Sequence, residues 1–165
     1  MEKKILGSQT PADSSARRPV SDKIGDDALQ TWQSYHVITE QWKSDLQFEK
    51  DEIDFFRKLI SEHFARFMDT AHAEKSRTLT ADLAKLEKQR VDLQGRIVEH
   101  GGQMLKIVQN PFQYVDELLY KHNHEELENE MMTFLKSHRL LKRTFMQIAE
   151  EILRTEKIMH MLSGK

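Results

Sequence analysis

A chain of 165 residues with a net charge of −2 and 32% charged residues has the size of one ordinary domain, long enough to bury a core. Acids and bases are interspersed, which argues against a basic nucleic-acid face. The absence of cysteine excludes disulfides, thiolate catalysis and thiolate-bound zinc. No apolar run approaches the roughly 20 residues of a bilayer span, and the charged start Met1-Glu-Lys-Lys lacks the apolar centre of a secretory signal. A soluble, cytoplasmic, helix-rich protein is expected.

Residues 1–26 carry Gly7, Pro11, Pro19 and Gly25 among Ser, Asp and Arg, with scattered apolar side chains. They bury too little to offset the entropy of ordering, and a flexible N-terminal tail is expected. A single helical-bundle domain then fills 27–165. Its first helix, about 27–69, starts at an acid, Asp26 or Asp27, suited to capping the free N–H groups. Trp32, Tyr35, Thr39, Trp42, Leu46, Glu49, Ile53, Phe56, Ile60, His63 and Phe67 alternate steps of three and four along it.

The stretch 69–78 lacks large apolar residues and predicts a turn. A second helix, about 78–108, carries the seam Leu79, Leu83, Leu86, Arg90, Leu93, Ile97, His100, Met104 and Ile107. Gly101-Gly102 interrupts it at a cost of about 2 kcal/mol relative to alanine. A kinked or frayed continuation is expected there, or a helix end at His100. Asn110-Pro111 breaks the chain and starts a short capping helix, about 112–121. Asn123 and Glu126 then read as a capping box for a third long helix, about 124–162. Its seam is the most regular: Leu127, Met131, Phe134, His138, Leu141, Phe145, Ile148, Ile152, Thr155, Met159 and Leu162.

These elements predict an all-α, elongated up-down-up bundle with coiled-coil-like packing, with an extended coiled-coil dimer as the competitor. A turn centred near Ala73 places residue i of the first helix opposite about 146−i of the second, and a connection centred near Asp116 sets the second against the third. His36, Glu40, His122, His124, Glu126 and Glu128 then share one end. Histidine and glutamate four apart project from one helical face. His36, Glu40, His124 and Glu128, with His122 and Glu126 as substitutes, are therefore candidate ligands for a divalent transition metal. Against this stands the absence of the Glu-x-x-His pattern of di-iron bundles. His63, His100 and His138 occupy seam positions, where they are expected as neutral core histidines at separate levels, with Glu49 and Arg90 pairing to them across the seam.

The segment His72-Ala-Glu-Lys-Ser76 resembles the phosphohistidine motif of histidine phosphotransfer domains, which are also helical bundles. That resemblance implies an exposed mid-helix phosphoacceptor at His72. It departs from the family where Glu74 replaces an apolar residue and Ser76 a glycine. No nucleotide-binding loop or nucleophile elbow is present, so no catalytic residue is assigned and no cofactor is required. The eight methionines suit core filling. Phe48, Phe55 and Leu59 in the first helix, with Leu140, Ile158 and Met161 in the last, lie beside the seams and widen the apolar faces. They are the expected contact surface of a homodimer. The sequence thus points to a non-enzymatic interaction or scaffold module, with a metal-binding bundle as alternative and a phosphotransfer-like protein third.

Overall fold

A computed structural model describes residues 21–110 and 116–164, with side chains from Asp27 onward. The expectations for 1–20 and for 111–115 lie outside them, but 21–26, expected in the flexible tail, are helical, so the first helix begins before residue 27. Four helices follow in order: α1 (Ser21–Glu62), α2 (Phe64–Phe67), α3 (Ala73–Gln109) and α4 (Glu117–Ser163). No strand occurs among the described residues, and no helix there is long and apolar enough to cross a membrane. The three long helices form the expected all-α up-down-up bundle. α3 runs antiparallel between its neighbours, and α1 and α4 are parallel.

The seams face inward. Leu46, Ile53 and Ile97 are fully buried, as are Leu79, Leu83, Met131 and Ile148 to within 2%. Burying such side chains contributes about 1.5–3 kcal/mol each. A smaller apolar group of Trp32, Met104 and Ile107 closes the far end, with Tyr35 and Tyr120 packed against it. Phe67 of α2, 4% exposed, stacks on Phe145 at 5.9 Å and closes the other.

Several local expectations need correction. α1 stops at Glu62 and the chain breaks at His63, so the first helix does not run to 69. His63 is exposed at that break and is not a core residue. The reversal is made by the Asp69 carbonyl, which accepts from the N–H groups of His72 and Ala73 at 2.8 Å, and α3 begins at Ala73 rather than near 78. Consequently the register moves: Thr39, expected opposite residue 107, faces Gly101.

α3 passes through Gly101-Gly102 as continuous helix. A Cβ at Gly101 would lie 2.9 Å from Thr39 Cγ2, and both residues are buried. The glycine is what lets α1 and α3 approach at this level. Gly102 is exposed and a Cβ there meets nothing within 4 Å.

Of the expected capping helix, the described part 117–121 is continuous with α4, which runs 47 residues without a break. Its cap is Asp116, whose carboxylate accepts from Leu119 N–H at 3.1 Å. Asn123 and Glu126 sit inside the helix. Nothing between them and Glu117 breaks a helix, and Tyr120 is held against Trp32 with ring centroids 6.3 Å apart. The capping-box pattern therefore never acts as an end. At the other terminus the seam outruns its partners. Thr155, Met159 and Leu162, expected inside, are exposed; Arg66 of α2 pairs with Glu156 at 2.6 Å, and Met159 and Leu162 lie beyond that contact.

Candidate functional site

α1 and α4 keep one register, seen where Tyr35 stacks on His124, Phe56 stacks on Phe145 and Glu49 meets His138. Each pair is separated by 89 residues. Parallel seams of this kind repeat their geometry every heptad. Two histidine levels result, fourteen residues apart on each helix (Tyr35 to Glu49, His124 to His138).

At the first level His124 is 3% exposed. Its ring lies between aromatic faces, 3.9 Å from Tyr35 and 4.8 Å from Trp42. Its Nδ1 meets Nε2 of His100 on α3 at 3.1 Å, one ring donating and the other accepting. Burial, and then the neighbouring His100, hold the His124 pKa down to about 4. Burial lowers that of His100 as well. Both imidazoles are neutral at pH 7.

At the second level His138, 1% exposed, faces carboxylates. Its Nδ1 lies 2.5 Å from Glu49 Oε2 and its Nε2 3.8 Å from Glu52 Oε2. Lys142 reaches Glu52 from one turn further along α4. Burial, and then the charge of Glu52, push the Glu49 carboxyl up to about 7. Burial pushes the His138 pKa the other way. A carboxylate and an imidazole at this separation titrate as a coupled pair, and the Glu49 carboxyl takes up its proton near neutrality. His138 Nε2 is buried without a hydrogen-bond partner.

The ligands anticipated at the His36 end are not gathered into one set. His36 and Glu40 approach to 4.0 Å, and Glu40 pairs with Lys43 at 2.5 Å. His124 has turned inward to His100, while Glu128 is exposed. His122 and Glu126 form an exposed 3.3 Å pair. Among the described residues, Glu49, Glu52 and His138 are the group with three potential ligand atoms within 4.8 Å of one another. Pairing of Glu49 with a seam histidine was foreseeable from their seam positions. Glu52 was missed because it lies one step off the seam, where only the register reveals its neighbour. Arg90, by contrast, bonds within its own helix to Glu87 and Gln94.

His72 caps α3 and is 7% exposed, with Glu151 3.7 Å away. It is neither mid-helix nor accessible in the manner of a phosphotransfer histidine.

The six surface residues divide into three places. Phe48 and Phe55 are 60% and 54% exposed, while Leu59 is partly buried against the core. Helical spacing puts them around Glu52, whose link to Lys142 shows that this face of α1 borders α4. Val37, also exposed, continues the line. On α4, Leu135, Met146 and Leu153 share a face with Lys142 at spacings of seven and four; Met146 and Leu153 are exposed. Leu140 instead lines a groove toward α3 with Leu79 and Leu86. Ile158 and Met161 lie on the exposed end of α4. No family model, curated protein or solved structure matches this chain.

Proposed function

We propose that the chain is a non-enzymatic helical interaction module that associates with a second copy of itself through the outer α1/α4 face. The observation that carries this reading is the exposure of Phe48 and Phe55 on one line with Val37. Alongside them stand Met146 and Leu153 of α4. Two half-exposed aromatics on one strip exceed the scattered apolar exposure normal for a monomer surface.

The size of the face suits a dimer. From Val37 to Leu59 the strip is about 33 Å long, and two packed helices present a width of about 20 Å. That gives roughly 650 Å² per copy, or about 1,300 Å² in total, inside the range of stable interfaces. A two-fold axis lets one self-complementary patch serve both copies. The Glu52–Lys142 ion pair would sit within the face as its polar element.

Light scattering coupled to size exclusion at micromolar concentration should give twice the chain mass of 19.5 kDa. Phe48→Glu with Phe55→Glu should give a folded monomer, with unchanged helical circular dichroism. A wild-type monomer across that range contradicts the reading.

A further inference from the structure

We propose that Glu49, Glu52 and His138 form a binding site for one divalent first-row transition-metal ion, Zn²⁺ foremost, between α1 and α4. Glu49 and Glu52 are three apart on α1 and so project from one helical face, and His138 enters from α4. One donor atom from each lies within 4.8 Å of the other two. An ion with bonds of about 2.0–2.2 Å holds its ligands roughly 3–3.5 Å apart. The 3.8 Å from His138 Nε2 to Glu52 Oε2 is near that spacing, while the 2.5 Å contact to Glu49 is made by the opposite ring nitrogen, Nδ1. Turning the Glu49 carboxylate from Nδ1 toward Nε2 would complete the set.

A second observation is independent of the acidic pair. His138 is 1% exposed, and its Nε2 has no hydrogen-bond partner although it is directed at Glu52. Glu49 Oε2 lies on the other side of the ring, against Nδ1. Buried polar atoms are nearly always satisfied, so an unpartnered Nε2 aimed at a carboxylate calls for a ligand. The equivalent histidine two heptads away has its partner in His100.

The donor set selects the ion. One imidazole and two carboxylates suit Zn²⁺, Mn²⁺, Fe²⁺ or Co²⁺; Ca²⁺ and Mg²⁺ favour oxygen alone, and Cu⁺ favours sulfur. Two carboxylates against the single Lys142 ammonium leave negative charge in a half-buried space, which a divalent cation offsets. The Glu52 side chain is 21% exposed in the single chain, which leaves room for a water in the fourth position.

The test uses the full chain, freed of metal with a chelator and dialysed. It is titrated with Co²⁺ while visible d–d absorption is followed, and then with Zn²⁺ in competition. One Co²⁺ per chain, displaced by Zn²⁺, is expected. Glu49→Gln should weaken Co²⁺ binding by at least ~10-fold, since loss of partners outside the ligand set alone costs 10–100-fold. If Glu49→Gln loses its helical circular dichroism, Glu52→Gln at the more exposed position gives the same readout. His36→Ala with His122→Ala should leave the affinity unchanged. Absence of stoichiometric Co²⁺ on folded wild type overturns the site. So does an unaltered affinity in the folded glutamine variant, or a loss confined to the His36/His122 variant.

Discussion

The His124 and His138 levels are built on the same helices at equivalent heptad positions, yet they are chemically opposite. At one, α1 presents Tyr35 and Trp42, and the imidazole is stacked, bonded to a second imidazole and neutral. At the other, α1 presents Glu49 and Glu52, and the imidazole meets carboxylates at an incompletely satisfied junction. α3 sharpens the contrast, because it supplies His100 to the first level and has no other histidine between Ala73 and Gln109. A seam histidine thus takes its character from the residue that the register sets opposite it. Burial lowers its proton affinity in both places. Only the carboxylate level offers somewhere else for a proton or cation to go.

The largest expected effect comes from placing a charge where neither arrangement exists. Ile148→Asp, at a side chain 2% exposed, should cost about 3–5 kcal/mol, the range for an uncompensated buried charge. Chemical unfolding of the variant measures it, and wild-type stability would show that α4 does not hold the core there. Acid comes next. The His124 pKa is depressed from 6.5 to about 4, so below pH 6.5 the unfolded chain binds more protons than the native one. Stability contributed by this group is present above 6.5 and is lost as pH falls toward 4, by about 3 kcal/mol. His124→Phe should flatten that limb of a pH series of urea unfolding curves.

Glu49 gives the opposite sign. Its pKa is raised from 4.5 to about 7, so the native state holds the proton longer than the unfolded state. Its contribution is full below pH 4.5 and is lost as pH rises through 7. His138, Glu52, Asp45, Lys142 and Arg139 are the charged or titratable groups around it. Its side chain is 12% exposed, and partial screening reduces the effect to about 2 kcal/mol. Glu49→Gln should therefore gain stability relative to wild type as pH rises from 5 to 8, measured as a widening gap between paired unfolding midpoints. The smallest effect belongs to Gly101→Ala. Overpacking against Thr39 costs about 1–3 kcal/mol, against about 1 kcal/mol gained in helix propensity. A net loss of about 1 kcal/mol is expected in thermal unfolding, and Gly102→Ala, in open space, should stabilise.

The helices were legible because steps of three and four from Trp32 to Ile60, from Leu79 to Ile107 and from Leu127 to Ile152 admit no other secondary structure. Register was not. The break at His63 carries neither glycine nor proline, so its position follows from how Phe67 packs on Phe145 and not from local chemistry. Every cross-helix assignment inherited that displacement, including the one that set Thr39 opposite residue 107. Asn123 and Glu126 have the pattern of a helix start, but a pattern ends nothing when the preceding turns are held by Trp32 and Tyr120. Leu140 was grouped with Phe48 because heptad letters say how far a residue lies from the seam, not which neighbour it flanks. Glu49 and His138 were both visible as polar seam residues. Their meeting depended on both connections at once, since α1 and α4 are brought parallel only by the antiparallel α3 between them.

Side-chain nuclear magnetic resonance of the histidine rings across pH 4 to 8 tests the contrast most directly. The Glu49 carboxyl should titrate near pH 7 and be sensed by the adjacent His138 ring, and in Glu49→Gln that inflection should disappear. His124 should stay neutral until about pH 4. Titration of both rings together near the ordinary histidine value of about 6.5 would contradict the account.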